Sequence, residues 1–342
     1  MMRKVQCVGA ITILMILGGC GGNAQIASLQ FEGTLHIARQ HSIMYAPVYV
    51  MQELGLLEQY LPGMEIEWSV FGSGAAINEA LAANRLDIAF MGISPAIIAW
   101  DRGIEARIFT GLCVAPAGLQ VSNDTINSLA DFTVNDRIAL PNLGSIQHIL
   151  LSMASERELG DARALDNNIV AMTHPDGAMA LISGSEISAH FTALPFMSRQ
   201  NNEGFKTILT GTEAFGSDFS TIVGIAANQL QEQNPIVVAA IFSALSDAMV
   251  LINQRDEHVI EIISRIEGIS EDEVMEYLSW EGTNFTTTLY GIEGMAEFMY
   301  REGYISNNPN LEGMLQNTAL SAIGSRVGIP SVLETAQERT TQ

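Results

Sequence analysis

The sequence predicts an α/β protein built as two lobes of similar architecture with a cleft between them. Three observations carry this. Strand, small-residue turn and helix alternate three times over residues 35–98. The alternation lapses and starts again at Arg137. Two passages, one in each stretch, share a layout: a helix closed by Asn84 or Gly184, then at once a strand with an acid near its start. Asn and Gly both tolerate the left-handed conformation that ends a helix. The two passages are too dissimilar for a sequence repeat, and they fit two lobes facing one another.

Residues 34–39 form a short strand and 40–45 a loop. Residues 46–54 form a helix that Gly55 ends. Residues 65–70 alternate polar and apolar, the period of a strand with one buried face. On that pattern Trp68 faces the core with Ile66 and Val70. Phe71-Gly72-Ser73-Gly74 opens a helix over 75–83. A strand at 86–90 runs into Met91-Gly92-Ile93-Ser94-Pro95, which opens another helix. Ser94 is its expected cap and Pro95 its first helical residue. Residues 107–114 are a further strand. Ala115-Pro116-Ala117-Gly118 breaks it and marks a first crossing between lobes, after which 119–121 are extended. Residues 124–131 are expected to form a linking helix.

In the second lobe a strand at 137–140 meets the turn Pro141-Asn142-Leu143-Gly144. Ser145 caps a helix running to about Leu159, since its hydroxyl can accept from a free amide of the first turn. A strand follows at 168–172. His174-Pro175-Asp176 opens a helix ending near Ser183-Gly184, and strands follow at 186–191 and 206–210. The second crossing lies near 211–218, and 219–227 return extended to the first lobe. The remainder reads as helices at 234–254, 257–266, 270–279 and 292–303. Ser270-Glu271-Asp272-Glu273 is a capping box with acids favoured by the helix dipole. Residues 236–252 are strongly apolar, but Ser243, Ser246 and Asp247 interrupt them and Pro235 suits a helix start. That stretch reads as a helix of the fold, not a membrane span.

The chain of 342 residues has room for two domains. Its 48% hydrophobic and 16% charged residues are a globular composition. Sixteen basic against 38 acidic residues give a net charge of -22, and the only lysines are Lys4 and Lys206. Such a surface repels phosphate backbones, which argues against nucleic acid as a partner. An anionic ligand would gain nothing from long-range steering and would depend on local donors.

Met1-Met2-Arg3-Lys4 is a basic start, and residues 5–17 are an apolar core too short to cross a bilayer comfortably. Leu17-Gly18-Gly19-Cys20 resembles a bacterial lipobox, a small-residue site of the kind a signal peptidase reads. It implies lipidation of Cys20 and a stable anchor through several acyl chains. The alternative is a plain secretory signal with an incidental cysteine. Residues 21–27 would be a flexible tether. Cys7 leaves with the signal, so Cys113 has no partner, and no intramolecular disulfide is expected. Cys113 reads as a small buried hydrophobe.

Tyr45-Ala46-Pro47, Gly55-Leu56-Leu57-Glu58, Phe71-Gly72-Ser73-Gly74-Ala75-Ala76, Leu86-Asp87-Ile88-Ala89-Phe90 and Gly92-Ile93-Ser94-Pro95-Ala96 resemble the solute-binding proteins of ABC importers. The similarity is to the nitrate, sulfonate and taurine binders, with the thiamine-precursor binders beside them. It runs from about Leu35 to about Ile305. It implies a two-lobed, periplasmic-binding-protein-like (type II) fold with a hinge and an inter-lobe cleft. The expected organisation is a lipoprotein signal peptide at 1–19, a lipidated N-terminus and tether at 20–34 and lobe I at 35–117. Lobe II follows at 118–217, then the rest of lobe I at 218–333 and a polar tail at 334–342. The resemblance also implies a monomer in the cell envelope, lipid-anchored to a bacterial membrane, facing the periplasm or exterior. Its partners would be a small-molecule solute and the transmembrane permease subunits, with no cofactor.

The cleft of such a fold is lined by helix N-termini, whose free amides and positive dipole ends suit an electron-rich group. The candidate ligand-binding residues are Ser42, Tyr45, Gly72, Ser73, Gly74, Gly92, Ser94, Gly144, Ser145 and Thr286. Glycine lets a ligand approach the backbone, and each serine adds a hydroxyl. The resemblance carries over to Gly72-Ser73-Gly74, Gly92 and Ser94, and further to Ser145 and Thr286. The plainer reading is that the serines only cap helices and that Tyr45 is a core aromatic. Gln147 is left between cleft and solvent.

A hydrolase reading meets an obstacle at Pro95. A nucleophile elbow needs the amide after its serine, and proline has none. The six histidines lack the spacing of a metal motif. The fold also resembles a precursor-pyrimidine synthase of the thiamine pathway, whose cysteine-rich motif is absent. The expectation is therefore a binder and not an enzyme. Sulfonates, nitrate-like ions, carboxylates and neutral heterocycles all stay open as ligands.

Overall fold

A computed structural model describes residues 31–316. The expected signal peptide, Cys20 and the polar tail lie outside the described residues. In chain order the strands are β1 (Thr34–Arg39), β2 (Glu65–Val70), β3 (Ile88–Gly92), β4 (Ala106–Val114), β5 (Ala117–Val121), β6 (Ile138–Leu140), β7 (Ile169–Ala171), β8 (Ala189–Ala193), β9 (Lys206–Thr210), β10 (Ile222–Ala227) and β11 (Asn284–Phe285).

They form two sheets, ordered β11-β4-β10-β3-β1-β2 and β7-β6-β8-β5-β9. β1 pairs in parallel with β2 and β3, as β6 does with β7 and β8. β10 lies antiparallel between β3 and β4, and β5 lies antiparallel between β8 and β9. The sheets share one plan, three parallel strands and then an antiparallel one. That antiparallel strand is in each case the first strand after the chain arrives from the other sheet. The similar architecture expected of the two halves is present.

A helix follows each parallel strand: Ala46–Glu53 after β1, Gly74–Ala82 after β2, Ile93–Asp101 after β3, Ile146–Leu159 after β6, His174–Ile182 after β7 and Phe196–Asn202 after β8. Parallel pairing puts the helix starts at the strands' carboxyl ends. The apolar helix Pro235–Asn253 packs on Ala46–Glu53 and Leu56–Tyr60, and buries Val237, Ile241, Leu245 and Ile252. By length and composition it could cross a membrane, yet most of it is covered by the fold. The chain passes between sheets twice, and the two passages are tied together. Thr221 Oγ1 accepts from the Ala115 amide and donates to the Ala115 carbonyl, each at 3.1 Å.

Five sequence expectations need correction. β3 is shifted from 86–90 to Ile88–Gly92, and β8 from 186–191 to Ala189–Ala193. Both shifts have one cause. Each strand is extended at its carboxyl end by its antiparallel partner, β10 on Gly92 and β5 on Ala193. Residues 124–131 are not a helix. Asn123 Oδ1 takes the Thr125 amide, and Asp131 Oδ2 takes the amides of Asn127 and Ser128. Short polar side chains here compete with helical pairing, and only the 3-10 turn Leu129–Asp131 forms. Ser94 is not a cap. Gly92 holds the cap position and Ser94 lies inside the first turn, fully buried, with its hydroxyl on Met295 Sδ at 3.8 Å. Trp68 is half-buried against the core, while Val70 ends its strand exposed. The Ser145 cap and the Ser270–Glu273 box form as expected. Cys113 is buried, which pushes its thiol far up.

Candidate functional site

Five of the six parallel strands end at one pocket. The turn after β1 contributes Gln40, His41, Ser42, Met44 and Tyr45. The helix start after β2 contributes Gly74, and β3 with its helix contributes Gly92 and Pro95. From the other sheet come Pro141, Ser145, Ile146 and Gln147 after β6, and His174 after β7. Ile222, opening β10, closes the lining. The void, counted with the open solvent at its mouth, measures about 400 Å³.

The sixth strand takes part indirectly. Ser42 Oγ donates to the Leu194 carbonyl, just past β8, at 2.7 Å and accepts from the Met44 amide at 3.2 Å. Its one hydrogen is spent on joining the two halves. Tyr45 is buried and donates to Gln40 Oε1 at 3.1 Å, which leaves the Gln40 amide nitrogen free of that contact. Ser145 Oγ accepts from the His148 amide at 3.3 Å and keeps its own hydrogen.

Two glycines allow the helix starts to come this close. A Cβ on Gly74 would lie 2.6 Å from the Pro95 ring. Gly144 has φ +82°, and a Cβ there would lie 2.6 Å from Ile98 Cδ1 of the facing lobe. The turn needs both the left-handed backbone and the missing side chain.

No Asp, Glu, Lys or Arg is among the lining residues. The polar side chains are neutral or nearly so. His174 Nδ1 is 3.0 Å from Thr192 Oγ1, and its Nε2 is 3.4 Å from Gln147 Nε2. Burial, and secondarily the nearby His41, lower the His174 pKa to about 4. Burial and then Arg39 lower that of His41. Arg39 itself turns aside, stacked over the Tyr49 ring at 4.3 Å. An anion here would meet helix N-termini and side-chain amides instead of a full positive charge.

The lobes touch on both flanks of the pocket. On one, Tyr304 donates to Ser152 Oγ at 2.9 Å, Arg163 Nη2 donates to the Glu302 carbonyl at 2.9 Å, and Arg301 pairs with Glu156. On the other, Arg199 Nη2 reaches the Glu267 carbonyl at 3.4 Å.

Of the sequence candidates, Ser42, Tyr45, Gly74, Gly92 and Ser145 line the pocket. Gly144 supports it one residue back. Gly72 is exposed near the Thr173 methyl, and Ser73 caps its helix beside Gly74 through the Ala76 amide. Ser94 and Thr286 are elsewhere. Thr286 sits where β11 meets β4, its amide on the Leu112 carbonyl and its hydroxyl on the Thr288 amide. Gln40 and His41, from a turn expected to supply donors, and Gln147, left between cleft and solvent, also line the pocket, and so does His174, which the sequence did not single out. His174 opens the helix after β7, as Ile146 opens the one after β6. That shared position was the available signal. Among the described residues, no cluster of three or more His, Cys, Asp or Glu is placed to hold a metal.

The sequence profile of the NMT1-like family matches residues 33–267. The chain belongs to the NMT1-like family. A putative aliphatic sulfonates-binding protein of Bacillus subtilis (strain 168) is 21% identical over 334 residues, covering 92% of this chain and 95% of the relative. The taurine-binding periplasmic protein of Escherichia coli (strain K12) is 24% identical over 225 residues, covering 62% and 67%. Among solved structures, the alkanesulfonate-binding protein SsuA from Xanthomonas axonopodis pv. citri bound to MOPS has a TM-score of 0.68 at 20% identity, covering 84% of this chain and 97% of that one. The fold of this NMT1-like protein is that of the periplasmic binding proteins.

Proposed function

We propose that this protein is an extracytoplasmic solute-binding protein that captures a small solute and delivers it to the permease of an ABC importer. The observation that carries the reading is the convergence of helix starts from both sheets on one uncharged pocket. Helix N-termini supply partial positive charge without a side-chain cation. The pocket therefore suits one negative charge better than two. It has no carboxylate to pair with a ligand ammonium. The solute is accordingly a small monoanion without an amine, of the alkanesulfonate or nitrate kind, held by Ser145, Gln40, Gln147, His41 and the amides near Gly74 and Gly92, with His174 behind Gln147.

The relative named for aliphatic sulfonates supports the ligand class, and the one named for taurine supports only its sulfonate group. Closure over the solute is a hinge motion at the two crossings, 116–118 and 211–218, which shifts a population of open and closed forms. Cys20 carries the lipid that keeps a monomer at the cell envelope. The solute leaves unchanged, and no residue has a bond-breaking role. Mass spectrometry of what co-purifies with the protein, followed by a thermal-shift panel of ethanesulfonate, taurine and nitrate, tests the reading. A bound monoanion recovered intact supports it, and a solute consumed on incubation refutes it.

A further inference from the structure

The Gly144-Ser145 turn brings Ser145 and the start of its helix to the pocket, and a residue behind it holds its shape. The Gly144 amide donates to Nδ1 of His148 at 2.8 Å. His148 is 3% exposed, and its Nε2 lies 3.1 Å from Asp166 Oδ1. An amide N–H can only donate, so Nδ1 carries a lone pair. A carboxylate only accepts, so Nε2 carries the hydrogen. The two partners fix one neutral tautomer from opposite sides of the ring.

We infer that His148, as this Nε2–H tautomer, is a positioning residue that keeps the Gly144-Ser145 turn facing the solute, with Asp166 fixing the ring. The inference rests on the pocket being the solute site. The setting is also where the lobes meet. The Tyr304 ring stands edge-on to the imidazole at 5.3 Å and 85°. Arg163 lies over Tyr304 at 4.4 Å and reaches Asp166 Oδ2 at 3.6 Å. The same ring that shapes the turn is thus packed against the facing lobe.

The test uses the whole protein, selectively labelled with ¹⁵N at histidine and at glycine. Nitrogen shifts of His148 should report Nε2–H, and the Gly144 amide should exchange slowly. H148N leaves a carbonyl oxygen close to where Nδ1 stood, while H148L leaves no acceptor. Ethanesulfonate affinity by calorimetry should fall about tenfold in H148L, the scale of one lost hydrogen bond. H148N should recover most of it, with both variants folded by melting. A Nδ1–H tautomer, or an H148N no better than H148L, overturns the inference. If the wild-type protein fails to bind ethanesulfonate, the sulfonate reading falls instead. Gly144 exchange then decides the positioning role: faster in H148L than in H148N supports it, and equal rates overturn it.

Discussion

Acidification should destabilise this protein through His174, and the size of the effect follows from its burial. The unfolded histidine binds a proton near pH 6.5, but the folded one only near 4, because the ring is buried and His41 is close. Between those values the unfolded chain holds more protons, so stability falls as pH falls. The contribution is intact above pH 6.5 and lost progressively down to 4. At 1.36 kcal/mol per pH unit, moving from pH 7 to pH 5 costs about 2 kcal/mol. At about 2.1 cal/mol/K of unfolding entropy per residue, that is roughly 3 °C in Tm for a chain of 342 residues. His190, also buried and shifted down, adds its own loss in the same direction. The assay is a set of thermal scans at pH 7 and pH 5 on the wild type and His174→Gln. The variant should lose about 3 °C less than the wild type over the same pH step. Equal losses would refute the burial argument, whatever the variant's stability at pH 7.

An anion beside His174 should raise its pKa, so ethanesulfonate should bind several-fold more tightly at pH 5 than at pH 7, by up to tenfold per pH unit. Calorimetry in two buffers of different ionisation heat should show proton uptake. Gly144→Ala forces a Cβ towards Ile98 and a left-handed alanine, and should cost about 1–3 kcal/mol and weaken solute binding, read by melting and titration. Thr221→Val removes the hydroxyl that joins the crossings and leaves the buried Ala115 amide unpaired, with an expected loss of about 1–3 kcal/mol in denaturant melts. Tyr304→Ala should reduce solute affinity more than Arg301→Ala, since the arginine pair is exposed and worth under about 1 kcal/mol.

Local chemistry was legible in the sequence, and distant pairing was not. Strand, glycine turn and helix could be read because each obeys a short-range rule. The Ser145 cap and the Ser270–Glu273 box fall within one helical turn. The ends of β3 and β8 are instead set by β10 and β5, strands supplied from beyond a lobe crossing. That long-range pairing also carried Gly92 from turn into strand and Ser94 into the interior, where Met295 meets it. Tyr45 and Ser42 reached the pocket because the turn after β1 fixes them. Gln147 and His174 depend on which face of their helices turns inward, which one sequence does not settle. Thr286 is held by the β11–β4 edge, another long-range contact.

The central claim is that helix starts from both halves grip a small monoanion in a pocket that carries no charged side chain. Calorimetric titration with ethanesulfonate and taurine side by side tests it most directly. The account predicts one site, tighter for ethanesulfonate, with the ligand recovered intact. Tighter binding of taurine, or no binding of any monoanion by the folded protein, would contradict it.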